Sequence, residues 1–160
     1  DGYEAVYLDH VQDDHMLQLF TRVGARLPLY STGGGKIFLA SFSENELENY
    51  LERVPRTSYT AGTLVQADAL RLDLADIRRQ GYAMDNEEMA EGIRCVAAPV
   101  FHHDGRIAAA VSVSGASIRI STERLKDLGG IVRRRAVAIS RVLGFDPEKQ
   151  KEKGGKSWLK

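Results

Sequence analysis

One cysteine, one tryptophan and four prolines are all that the 160 residues hold of these types, and the charges cancel, with 22 Lys and Arg against 22 Asp and Glu. A lone cysteine cannot close a disulfide within the chain, which excludes a cystine-stapled secreted fold and fits a reducing cytoplasm. Electroneutrality, with no stripe of basic residues, argues against nucleic-acid binding by this stretch alone. No apolar run approaches the length of a membrane span, no leader peptide is recognisable, and no internal repeat is present. What is there, 43% hydrophobic residues over 160, suffices for one globular domain with a sizeable core.

The most informative stretch is GYAMDNEEMAEGIRCVAAPVFHHDGRIAAAVSVS, Gly81 to Ser114. It reads as a short strand, an acidic turn and two apolar strands joined through His102-His103-Asp104-Gly105, because Asp-Gly between apolar runs supplies the positive φ angles of a tight hairpin. With Asp104 and Gly105 as the loop, His103 faces Arg106. Counting back then sets Cys95 opposite Ser114 and Ala97 opposite Ser112. Directly opposed residues of an antiparallel pair share a face, so the only cysteine and two hydroxyls lie on one side with Ala108 and Ala110. Val96, Ala98, Val100, Val111 and Val113 form the other side and read as core.

Around this hairpin the chain alternates strand and helix signals. Glu4 to Asp9 and Met16 to Val23 read as an antiparallel pair of strands. Leu27-Pro28-Leu29-Tyr30-Ser31-Thr32-Gly33-Gly34-Gly35-Lys36 is an open, flexible lead into a short buried helix, Ile37 to Phe42. Ser43 and Glu46 form a capping box for an amphipathic helix that Pro55 stops. A further helix, Ala67 to Gln80, carries Leu70, Leu74 and Ile77 on one stripe and ends at Gly81. The longest helix starts at Ser121 or Thr122 with the stripe Leu125, Leu128, Val132, Ala136, Ile139 and Leu143, and Gly144 closes it. The order is β-β-α-α-α-β-β-β-α, an α+β architecture.

Several constellations carry no chemistry. Gly33-Gly34-Gly35-Lys36 has the look of a phosphate loop, but Ile37 stands where Ser or Thr is required and the upstream glycine spacing is wrong. His10, His15, His102 and His103 are too scattered for a metal site. Arg133-Arg134-Arg135 reads as a solvated helix face or a subunit contact. Taken singly, Cys95 is an ordinary small core residue, Ser112 and Ser114 the wet side of an edge strand, and Asp85, Glu87, Glu88 and Glu91 a solvated acidic turn.

Together, LPLYSTGGGKIFLA, IRRQGYAMDNEEMAEGIRCVAAPVFHHDGRIAAAVSVSG and the closing helix ending SRVLG resemble the effector-binding half of IclR-type bacterial transcription regulators. The resemblance implies a GAF-like or profilin-like domain over residues 1–146, an antiparallel sheet of about six strands flanked by helices; residues 147–160, charged, glycine-containing and with a lone Trp158, read as a mobile tail. It implies a pocket of Thr32, Gly33, Gly34, Asp85, Ile93, Cys95, Ser112 and Ser114, with no catalytic residue, metal or cofactor. The expected partners are a small organic acid and further copies of the chain, as homodimer or homotetramer. DNA would be reached through a winged helix-turn-helix domain absent from this stretch, whose abrupt opening at Asp1 without a Met fits an excised piece.

The residues suit such a role. Backbone amides of Gly33 to Gly35 at a helix start, with the Ser112 and Ser114 hydroxyls, can hold a carboxylate without a counter-cation. Asp85 repels that carboxylate and is better placed to accept from a hydroxyl on the ligand, so a keto, hydroxy or sugar-derived acid is expected. Where the family often has an Ala-Thr-Ala-Leu-Gly type of run, this chain has Ser-Thr-Gly-Gly-Gly, which removes side-chain volume and predicts a larger or more polar effector. Two alternatives stay open at this level: a cysteine-dependent GAF-type redox enzyme, which needs a resolving thiol that is lacking, and a module that only oligomerises.

Overall fold

A computed structural model describes residues 2–11 and 22–152. Its elements are β1 (Glu4–Val6), β2 (Arg26–Pro28), α1 (Gly33–Ser41), α2 (Glu44–Arg53), α3 (Ala67–Gln80), β3 (Ala83–Asn86), β4 (Ile93–Phe101), β5 (Ile107–Ala116), α4 (Thr122–Val142) and α5 (Pro147–Glu152). The α+β class holds. The described residues form five strands, not about six, in two antiparallel sheets of order β1-β2 and β3-β4-β5.

The difference lies at the start of the chain. Strand β1 is shorter than Glu4 to Asp9, and its partner is β2, with Ala5 opposite Leu27. Most of the expected strand Met16 to Val23 lies outside the described residues. Its described end, Arg22 and Val23, leads into the turn that Gly24 makes at φ 83°.

The three-stranded sheet is covered on both faces, so neither side is an open floor. Val96, Ala98 and Val100 pack against Leu125, Val132 and Ala136 of α4. On the opposite face Ala83, Ala97 and Phe101 join Ile37 of α1 and Leu70, Leu74 and Ile77 of α3. Val113, expected in the core, is 43% exposed. The stripe of α4 is Leu125, Gly129, Val132, Ala136 and Ser140; Ile139 and Leu143, assigned to it from periodicity, face outward. Gly129 belongs there because the ring of Tyr82 lies where a side chain would be, 2.3 Å from an added Cβ.

The hairpin between β4 and β5 reaches the predicted register by a different route. Its loop has three residues, His103, Asp104 and Gly105, closed by His102 N–H donating to the Arg106 carbonyl at 2.9 Å. Gly105 takes the left-handed conformation that such a loop requires, φ 86°. Arg106 therefore faces His102 and not His103, an offset of one residue. A β-bulge between Val100 and Phe101 removes it, since Val100 pairs with Ala109 but Phe101 with Ile107. Beyond the bulge Ala97 pairs with Ser112 and Cys95 with Ser114, as the sequence predicts.

The other helices follow their local signals. The capping box of α2 is formed in both directions between Ser43 and Glu46. Gly81 caps α3 in the left-handed conformation. At the end of the chain, where a mobile tail is predicted, Pro147 opens the short helix α5 and Asp146 accepts from the Glu148 amide at 3.1 Å. Residues 153–160, with Trp158, lie outside the described ones.

Candidate functional site

Helix α1 begins four residues earlier than its apolar periodicity indicates, at Gly33 and not Ile37. The glycine triplet is its first turn, not a lead-in. Thr32, extended at φ −123° and ψ 144°, is the N-cap: its Oγ1 accepts from the Gly35 amide at 3.1 Å and donates to the Pro28 carbonyl at 3.0 Å. The Lys36 amide donates to the Thr32 carbonyl at 2.9 Å. A helix start leaves its first amides without intrahelical acceptors. The Lys36 bond is the first within the helix, so of the three glycine amides only that of Gly35 is capped, and those of Gly33 and Gly34 have no partner among the described residues.

That helix start sits directly on the β4 face. A Cβ added at Gly33 would lie 3.2 Å from Cys95 Sγ and 3.4 Å from Ala97 Cβ, and one added at Gly34 3.9 Å from Ala110 Cβ. Gly35 is tighter still, with the Leu29 backbone 2.5 Å from its missing Cβ. Glycine at Gly33 and Gly35 thus permits close packing of helix on strand, and the volume it frees is taken up by neighbours. Only at Gly34 is ordinary space left.

Beneath α1 the sheet places the predicted residues in rows. Asp85 pairs with Cys95, which pairs with Ser114; Ala83 pairs with Ala97, which pairs with Ser112. Ile93, half-buried, pairs with Ala116 one step further along the same face. Asp85, Cys95, Thr32 and Gly33 are buried, and Gly34, Ser112 and Ser114 are half-buried. All the predicted site residues therefore lie on the sheet face under the start of α1, or in that start itself. Burial pushes the Cys95 thiol up to about 11, against the opposing pull of hydrogen bonds from Ser114 and Ser112. Such a thiol stays protonated at neutral pH and makes a poor nucleophile.

The acidic turn departs from its solvated reading. Asp85 and Glu88 are buried, and Asp85 Oδ1 accepts the Glu88 amide at 2.7 Å. Burial raises both carboxyls, Asp85 to about 6 and Glu88 to about 7, more than nearby Lys36 lowers them. Lys36 is fully buried, with its Nζ 2.6 Å from Glu88 Oε1 and 2.9 Å from Asp73 Oδ2 of α3. A phosphate-loop lysine would project to solvent; this one points inward and is twice paired. The prediction of a site without a nearby cation is corrected here.

Lys36 and Glu88 are the largest omissions of the sequence reading, and their signal was the 52-residue gap across which they pair, which no local pattern encodes. Tyr7, just past β1, was also missed. Its hydroxyl is pushed up to about 12, chiefly by burial and further by the neighbouring Cys95 and Asp85, which brings it to the same site. Ser31 donates to Met89 Sδ at 3.3 Å, tying the lead into α1 to the acidic turn. Among the described residues no group of three or more His, Cys, Asp or Glu could hold a metal ion, and no helix is long and apolar enough to cross a membrane.

Comparisons with known proteins agree with the fold and with the motifs. The family model described as the C-terminal part of bacterial transcriptional regulator IclR matches residues 1–141. The HTH-type transcriptional regulator XynR of Escherichia coli is 38% identical over 145 residues, 91% of this chain and 58% of that protein. The transcriptional repressor IclR of Escherichia coli is 37% identical over 142 residues, 89% of this chain and 52% of that one. Among solved structures, Thermotoga maritima IclR superposes with a TM-score of 0.84 at 39% identity, covering 91% of this chain and 59% of that one. The C-terminal domain of E. coli KdgR superposes at 0.78 and 36% identity, covering 91% and 84%. The chain spans little more than half the length of the curated relatives it matches, and these are transcriptional regulators and repressors, not enzymes. The chain belongs to the IclR family of bacterial transcriptional regulators, and within that family it is the C-terminal, regulatory domain.

Proposed function

We propose that the domain senses a small carboxylic acid, a keto, hydroxy or sugar-derived acid, and passes its occupancy through a homodimer or homotetramer to a DNA-binding domain elsewhere in the longer protein. The observation that carries this reading is the pair of first-turn amides, Gly33 and Gly34, without a partner among the described residues, over the rows that hold Cys95, Ser112 and Ser114. A helix start attracts anions through its free N–H groups and its dipole. The two serine hydroxyls can donate to the same carboxylate from the sheet side. Thr32 holds the first turn in place and Ile93 limits the site along the strand. Asp85, when ionised, accepts from a hydroxyl on the effector; when protonated, it tolerates the carboxylate beside it. Lys36, although paired, adds positive potential one turn into α1.

The reading is tested by thermal unfolding against a panel of keto, hydroxy and sugar acids, because a ligand that binds only the folded state raises its melting temperature. At least one acid is expected to do so. Replacing Ser112 and Ser114 together by Ala removes two donors to a charged group, each worth about 1.5–3 kcal/mol, so affinity falls at least ~10-fold while the fold persists. Asp85→Ala relaxes selectivity for the extra hydroxyl more than it weakens the carboxylate contact. Lys126→Ala, exposed on α4, leaves binding unchanged. A binder indifferent to Ser112, Ser114, Cys95 and Asp85 places the site elsewhere.

A further inference from the structure

Four ionisable side chains converge under the first turns of α1 from four different parts of the chain: Lys36 of α1, Asp73 of α3, Asp85 of β3 and Glu88 of the turn that follows it. The single ammonium is fully buried and contacts Glu88 at 2.6 Å and Asp73 at 2.9 Å, while Asp85 bonds the Glu88 amide at 2.7 Å. Glu88 is 6% exposed, and its Oε2 has no hydrogen-bond partner among the described residues. With every group ionised, three negative charges would share one positive charge, and only Asp73, 29% exposed, reaches solvent. A buried carboxylate oxygen without a donor is costly, and the least costly remedy is a proton.

We infer that Lys36, Asp73, Asp85 and Glu88 form a proton-holding centre, and that an anion arriving at the start of α1 is accompanied by uptake of a proton from solvent on the Asp85 and Glu88 pair. The second half rests on the carboxylate-effector reading given above; the first half does not. The charged and titratable groups that face the pair are Lys36, Asp73 and Glu87, and the Cys95 thiol and Tyr7 hydroxyl lie beside Asp85. Lys36 is the only cation among them and its charge is already shared. A further negative charge at Gly33 and Gly34 would therefore be balanced by protonating the carboxyl pair. Burial has already raised both carboxyls towards neutrality, so the proton is available without a drastic change of pH. The consequence is an effector affinity that rises as pH falls, which would let the regulator read acidity together with metabolite level.

The experiment has a ligand-free arm and a ligand arm, both on the domain bearing selectively 13C-labelled carboxyls. In the free domain, the Asp85 and Glu88 carboxyl resonances, assigned with Asp85→Asn and Glu88→Gln, should show at least one of the two titrating above pH ~5.5. Titration of both in the ordinary range below pH ~4.5 overturns the centre. In the ligand arm, pyruvate, lactate and gluconate are titrated calorimetrically at pH 6 and pH 8, in two buffers of different ionisation heat. Uptake of one proton weakens binding by up to about tenfold per pH unit above the pair's titration range and makes the apparent heat depend on the buffer. Glu88→Gln flattens this dependence, which a loss of packing alone would not do. An acid that binds equally at both pH values with no buffer dependence overturns the coupling and leaves the effector reading standing. If none of the three binds at either pH, coupling and effector reading fall together, and the carboxyl titration still decides whether the centre holds its proton.

Discussion

At the scale of single residues, the site depends on side chains that are absent as much as on those present. Gly35 has no room for a methyl group, because the Leu29 backbone would lie 2.5 Å from it. Gly35→Ala should therefore cost ~1–3 kcal/mol in urea unfolding, the range for overpacking. Gly34→Ala, whose nearest neighbour is 3.9 Å away, should stay within about 1 kcal/mol of wild type or gain helix stability. Equal losses at both positions would contradict the packing argument. Cys95, buried and raised to about 11, should react slowly with a thiol reagent at neutral pH and more slowly with effector bound. Fast stoichiometric labelling would contradict its place under α1. The Asp85 carboxyl, raised from 3.8 to about 6, binds its proton more tightly in the folded than in the unfolded chain. Its contribution to stability is thus complete below pH ~4 and is lost as pH rises through about 6. Relative to Asp85→Asn, the wild-type melting temperature should fall between pH ~4 and pH ~7 and level off above; a constant difference would contradict the shift.

At the scale of elements, the β4-β5 hairpin is held in register by a bulge that one residue of α4 completes. The Phe101 amide donates to Ser140 Oγ at 2.9 Å, and that hydroxyl in turn donates to the Ala136 carbonyl at 2.7 Å. Ser140→Ala removes the hydroxyl that accepts from the Phe101 amide and donates to the Ala136 carbonyl, at a cost of ~1–3 kcal/mol, measurable as a lower urea midpoint with an unchanged slope. A neutral substitution would show that the bulge is satisfied in another way. The hairpin also shows why its register was legible. The apolar alternation of β4 and β5 admits one facing of Cys95, and the bulge returns the strands to it although the loop is one residue longer than Asp-Gly suggests. The start of α1 was misread because glycine lowers helix propensity, and the tertiary contact with Cys95 and Leu29 outweighs that preference. Lys36 was illegible for a related reason: a lysine after three glycines reads as solvent-facing until Asp73 and Glu88 are brought to it by folding.

At the scale of the whole molecule, a three-stranded sheet lies between α1 and α3 on one face and α4 on the other, with the β1-β2 pair packed beside α1 through Ala5. Leu29 and Tyr30, in the lead into α1, are core residues and offer no surface for assembly. The apolar side chains left outward on α4 and its C-cap are Ile131, Ile139, Val142 and Leu143. If assembly uses that face, light scattering at about 50 micromolar gives more than the monomer mass, and Ile139→Asp with Val142→Asp reduces it. A wild-type domain that stays monomeric at about 1 millimolar contradicts assembly through this domain. The proposed function puts an anion at the start of α1, and its most direct test is the amide resonances of Gly33 and Gly34 during titration with an acid that raises the melting temperature. Direct hydrogen bonding to the carboxylate predicts that these two amides move downfield further than any other in the domain, with the same saturation curve as the melting shift. Amides of Gly33 and Gly34 that stay in place while another region saturates would contradict it.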